Sequence, residues 1–133
     1  MIKTTNPPKF GHRAESWVID LLIANGNQVV PATEVDDKVH KVDFWLRWRQ
    51  NQWLAIQFSV NKQAIVNGKG TDALKRGIVP SWLDGQELEE AVNGKPETQK
   101  RLLTQFWKQV ESIVAACPEL PVRRPAVTAL WSR

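Results

Sequence analysis

The sequence predicts an α/β fold, a mixed central sheet flanked by helices, on three observations. Residues 42–60 alternate apolar and polar side chains on both sides of the polar tripeptide Gln50-Asn51-Gln52, the pattern of a β-hairpin. Two stretches, one opening near His12 and one opening at Pro96, repeat apolar residues at helical spacing. The elements also interleave, in the order helix, strand, strand, strand, helix, strand, before the chain closes on further helices.

Residues 1–10 read as a flexible lead, because Pro7-Pro8 bars a helix there. From 12 to 25, Ala14, Trp17, Val18, Leu21 and Leu22 form a helical stripe, and Gly26 ends it as a C′ glycine does. Glu15 lies beside that stripe and can project from the edge of the buried face; the other reading is a solvated first-turn glutamate favoured by the helix dipole. Residues 28–31 read as a short strand and 32–38 as an acidic connection.

In the hairpin, Val42, Phe44, Leu46 and Trp48 alternate with Asp43, Trp45, Arg47 and Arg49, and Leu54, Ile56, Phe58 and Val60 resume the apolar face. With the tripeptide as the loop, Arg49 faces Trp53, Trp45 faces Gln57 and Asp43 faces Ser59. Asp43, Gln57 and Ser59 then share one face, which a one-residue slip would undo.

Residues 61–70 read as a loop or frayed turn around Asn67-Gly68-Lys69-Gly70. Thr71 or Asp72 caps a short helix through Lys75-Arg76 that Gly77 closes, and 78–82 form a last strand with Pro80 at its end or on an edge. Residues 84–92 form a short acidic helix. Pro96 opens a long amphipathic helix carrying Leu102, Leu103, Phe106, Trp107, Val110, Ile113 and Val114, which Cys117-Pro118 terminates. The tail, 121–133, docks or remains extended.

A length of 133 residues, 42% hydrophobic and 24% charged, suits one domain with its own core. Cys117 is the single cysteine, which excludes a disulfide framework and a thiolate zinc cluster and fits a reducing, cytoplasmic compartment. The first residues lack the apolar core of a signal peptide, and no window suits a membrane span.

His12 and His40 have no metal-ligand spacing, Gly68-Lys69-Gly70-Thr71 lacks the rest of a phosphate-loop pattern, and no serine lies in G-x-S-x-G. Cys117 reads as core packing.

The formal charge of +4 is unevenly spread. Arg47, Arg49, Lys62, Lys69, Lys75 and Arg76 face Asp72 alone, whereas Asp84, Glu87, Glu89 and Glu90 form an acidic run. Arg47, Arg49, Lys69, Lys75 and Arg76 are candidate contacts to a polyanion such as nucleic acid; a solvated basic face is the other reading. Of seven tryptophans, Trp17, Trp48 and Trp107 fall on apolar stripes. Trp45 and Trp53 share the face of Asp43 and the arginines, where they would stack bases or contact phosphates unless the first and fourth helical segments cover them.

Three stretches, GHRAESWVIDLLIANG with Glu15, VDFWLRW with Asp43 and LAIQFSVNK with Gln57 and Ser59, carry a family likeness. In the order of its elements and in these residues the chain resembles the PD-(D/E)XK nuclease superfamily, with its restriction-endonuclease-like αβββαβ core. The likeness spans about 11–82 and leaves 83–133 as a C-terminal helical extension of the single domain.

The resemblance implies a site that holds Mg²⁺ or Mn²⁺ and hydrolyses DNA phosphodiesters. Asp43 and Gln57 would hold the metal, and Glu15 would assist by orienting water or metal. Gln57 stands where a second acid is expected and Ser59 where a lysine is expected. An amide oxygen can ligate a hard cation but brings no charge, and a serine cannot replace an ammonium. Lys41, on the strand face of Asp43, or Lys62, which needs a bend to turn inward, would supply the missing charge.

The function so implied is a metal-dependent nuclease or a nuclease-derived DNA-binding protein, and the resemblance allows a homodimer. The alternative is a catalytically inactive module that binds a protein through its tryptophan-rich or C-terminal helical surface. On the nuclease reading, Asp43→Ala abolishes cleavage and leaves the fold intact.

Overall fold

Helix α1 (Phe10–Ala24) forms along the expected stripe, with Ala14, Val18 and Leu22 fully buried. It stops at Gly26, whose φ of +92° a residue with a Cβ rarely adopts, while the Asn27 N–H returns to the Leu22 carbonyl at 3.0 Å. The computed structural model describes residues 10–33, 41–49 and 51–122. The acidic connection beyond Thr33, His40, the lead before Phe10 and the tail past Val122 lie outside the described residues, as does the side chain of His12.

The sheet has four strands, β1 (Val29–Pro31), β2 (Phe44–Arg49), β3 (Gln52–Ser59) and β4 (Val79–Trp82), in spatial order β1-β2-β3-β4. The first three pair antiparallel and β4 runs parallel to β3, so the sheet is mixed, as expected. The hairpin register differs from the expected one by two positions: Trp45 faces Ala55 and Arg47 faces Trp53. A tighter connection causes this. β2 runs to Arg49 and β3 starts at Gln52, with Asn51 at φ +61° and an irregularity between Arg47 and Arg49 absorbing the mismatch. Because side chains alternate with period two, a two-residue shift leaves every residue on its expected face.

One sheet face, with Phe44, Leu46, Leu54, Ile56 and Phe58, packs against α1 and the two C-terminal helices. These are labelled α4 (Gly85–Val92) and α5 (Pro96–Ala116) in chain order. Leu88 and Ala91 of α4 and Leu102, Phe106 and Val110 of α5 belong to this same cluster, so residues past 82 supply much of the core. The Asp84 carboxylate accepts the Glu87 N–H at 3.0 Å and starts α4, Pro96 opens α5, and partly buried Cys117 closes it against the core.

The opposite face buries Val42, Trp45, Trp53 and Ala55 beneath Ala73 and Ile78. Trp45 and Trp53 keep only 6% and 7% of their surface, which removes them as stacking platforms for bases. Their cover comes from the segment between β3 and β4 rather than from the first and fourth helical segments.

That segment is helical where a loop was expected. Asn61 Oδ1 accepts the N–H groups of Gln63 and Ala64 at 3.0 and 3.3 Å and starts α2 (Lys62–Ala64). A wide π-type turn follows over Ile65–Lys69, broken at Asn67 and at Gly68 with φ +123°, and runs into α3 (Gly70–Lys75). Lys69 is already helical when α3 begins, so neither Thr71 nor Asp72 caps it. Gly77, at φ +79°, closes α3.

Two contacts finish the sheet. The Gln109 side-chain amide of α5 accepts the Trp82 N–H at 2.9 Å and donates to its carbonyl at 2.8 Å, covering the β4 edge as a further strand would. Val122 forms a bridge with Trp53 through bonds of 2.6 and 2.9 Å, so the tail docks at its start. Among the described residues no helix is long and apolar enough to cross a membrane.

Candidate functional site

The chain leaves the sheet just before β2, and a cleft opens there. Lys41, three residues ahead of Phe44, has φ +63°. The Asp43 N–H still donates to the Ile56 carbonyl at 2.8 Å. The next outward N–H of β3, on Phe58, meets the Asp43 carboxylate instead, donating to Oδ2 at 2.6 Å. Asp43 therefore does what a strand carbonyl would have done, through a charge-assisted bond.

Around this point lies a cleft of about 500 Å³. Its floor includes Asp43 and Gln57 from the sheet, α1 contributes Glu15 from one side, and the α3 region contributes Lys69, Asp72 and Arg76 from the other. Lys41 and Ser59 also line it, with Ala73 and Ile78 as apolar wall. Glu15, Asp43, Gln57 and Ser59 thus all line one cleft.

Gln57 is only 9% exposed. Its main-chain carbonyl accepts the Ser81 hydroxyl at 3.3 Å, but among the described residues its side-chain amide has no hydrogen-bond partner. A buried amide left in that state is costly unless something outside the chain satisfies it. Ser59 differs: its Oγ accepts the Asn61 N–H at 2.9 Å and donates to the Asn61 carbonyl at 3.3 Å, so its hydroxyl serves the turn into α2.

The cations divide. Lys41, Lys69 and Arg76 are exposed at the cleft and make no ion pair or side-chain hydrogen bond among the described residues. Lys62 is elsewhere, with its ammonium 5.3 Å from the centre of the Trp82 ring, so Lys41 rather than Lys62 accompanies Asp43. Lys75 does not line the cleft.

Arg47 and Arg49 lie along the hairpin. The Arg47 guanidinium sits 5.6 Å from the Trp53 ring centre and donates to Gln28 Oε1 at 2.6 Å. The Arg49 guanidinium sits 5.4 Å from that of Trp48. Asp72 is the cleft residue that sequence reasoning missed. Lys69, Asp72 and Arg76 are spaced by three and four, which gathers them on one face once the segment is known to be helical.

The donor set does not fit a resident Mg²⁺ or Mn²⁺. A hard dication is held by negative oxygens, yet Gln57, which lines the cleft with Asp43, carries no charge. Glu15 and Asp72 approach from separate elements, and among the described residues no three His, Cys, Asp or Glu side chains group as metal ligands. The arrangement can instead offer N–H donors and ammonium or guanidinium groups to an anion. No protein-family model, no curated protein and no solved structure matches this chain.

Proposed function

We propose that the protein is a nuclease-like DNA-binding protein whose cleft receives the phosphodiester backbone. One observation carries this reading. Glu15, Asp43 and Gln57, singled out from three separate stretches by their likeness to a nuclease motif, converge on one cleft, and Lys41, Lys69 and Arg76 stand there without partners among the described residues. Unpaired cations at a concave polar site favour an anion that brings its own acceptor oxygens. Phosphodiester oxygens are such acceptors.

Fluorescence anisotropy of labelled duplex, branched and single-stranded DNA in Mg²⁺ buffer at about 50 mM salt tests the proposal. Wild-type protein should bind, and the double variant Lys69→Glu/Arg76→Glu should bind about tenfold or more weakly, since reversing two charges repels the phosphates they would contact. Equal binding by the two proteins would remove the cleft as the DNA site. No binding to any DNA would overturn the proposal and favour the reading of an inactive module with a protein partner.

A further inference from the structure

Resting on the backbone reading above, we infer that the cleft takes the phosphate directly, without a divalent cation, and that the Gln57 side-chain amide donates a hydrogen bond to a non-bridging phosphate oxygen.

The first ground is Gln57 itself. It lies in β3 opposite Pro80 of β4, is nine-tenths buried, and lines the cleft with an amide that no described residue satisfies. An amide N–H₂ offers two donors, and a phosphate oxygen is an acceptor, so the ligand completes what the fold leaves open. The position is rigid, because the backbone of Gln57 is paired on β4 and its carbonyl also accepts from Ser81.

The second ground is charge. Glu15, Asp43 and Asp72 already line the cleft, and a carboxylate at position 57 would add a further negative group, opposing an incoming phosphate unless a dication stood between them. The neutral amide avoids that addition. Asp43 is already stabilised from within by the Phe58 N–H at 2.6 Å, and Lys41, Lys69 and Arg76 stand at the same cleft for the phosphate charge. The three cations offset the three carboxylates, and the Gln57 amide adds a neutral donor, so the phosphate needs no dication.

Binding of a labelled duplex, measured by anisotropy in EDTA and in Mg²⁺ at matched ionic strength, tests the inference. Wild-type affinities in the two buffers should agree within about twofold. Gln57→Glu should bind about tenfold or more weakly in EDTA and recover in Mg²⁺, because the new carboxylate repels the phosphate until a cation bridges them. Gln57→Met, which removes the donors without adding charge, should weaken binding to a similar extent in both buffers.

Wild-type binding that appears only with Mg²⁺ overturns this inference and leaves the backbone reading standing. No wild-type binding in either buffer overturns the backbone reading and this inference with it. The wild-type comparison does not depend on whether either variant folds.

Discussion

At the scale of single residues, Asp43 shows how a side chain picked for chemistry can also be part of the scaffold. Its carboxylate takes the Phe58 N–H where β2 no longer reaches, so Asp43→Ala leaves a half-buried strand donor with nothing from the chain to meet it. We expect that variant to lose about 1–3 kcal/mol of stability, with Asp43→Asn losing less because it keeps an acceptor. Urea unfolding checks this, and an unchanged midpoint in Asp43→Ala would mean that water replaces the carboxylate. The expectation of an intact fold therefore holds only while that loss is tolerated, and DNA-binding tests of Asp43→Ala should be run beside a stability measurement. The strand alternation was enough to place Asp43 and Gln57 on one face. The bond to Phe58 was not legible, because alternation gives the face of a side chain but not the backbone group it meets.

At the scale of elements, the segment between β3 and β4 departs furthest from its sequence. Asn67-Gly68-Lys69-Gly70 has turn composition, yet it lies inside a helix as a local break, with capping by Asn61 before it and α3 after it. Composition could not separate a loop from a kinked helix, because the same residues supply the unusual dihedrals in both. The hairpin register was misjudged for a related reason, since Asn51 tolerates φ +61° and allows a shorter turn. The kink brings a consequence for Gly70. Its own dihedrals, φ −66° and ψ −42°, are ordinary helical values, so by propensity alone Gly70→Ala should stabilise by about 0.5–1 kcal/mol. A Cβ there would instead lie 2.8 Å from the Ile65 carbonyl oxygen, a backbone atom that cannot swing aside. We expect Gly70→Ala to destabilise by about 1–3 kcal/mol. Denaturant midpoints decide the sign, and a stabilised variant would show that the wide turn at Ile65–Lys69 relaxes easily.

At the scale of the whole molecule, the charges form two groups on a sheet covered on both faces. The helical and sheet pattern made the αβββαβ order readable, since those elements have strong periodicity and clear stops at Gly26, Gly77 and Pro118. It could not show that Leu88, Phe106 and Val110 share the core of Phe44 and Leu46, because nothing local states which apolar faces meet. The same limit applied to the basic stretch. Read along the chain it looked continuous, but in the fold Lys69 and Arg76 line the cleft with Lys41, whereas Arg47 and Arg49 lie against Trp53 and Trp48 along the hairpin. The salt dependence of DNA binding separates these groups. If the three cleft cations alone meet phosphates, the slope of log K against log salt should be about −2.7, from roughly −0.9 per phosphate contact on duplex DNA. If the hairpin arginines also contact the backbone, five contacts steepen it to about −4.5. We expect the shallower slope, because Arg47 already donates to Gln28 and to the Arg49 carbonyl, and engaging DNA would mean giving up those bonds. A slope near the steeper value that Arg47→Ala/Arg49→Ala brings back towards about −2.7 would extend the DNA surface from the cleft to the hairpin.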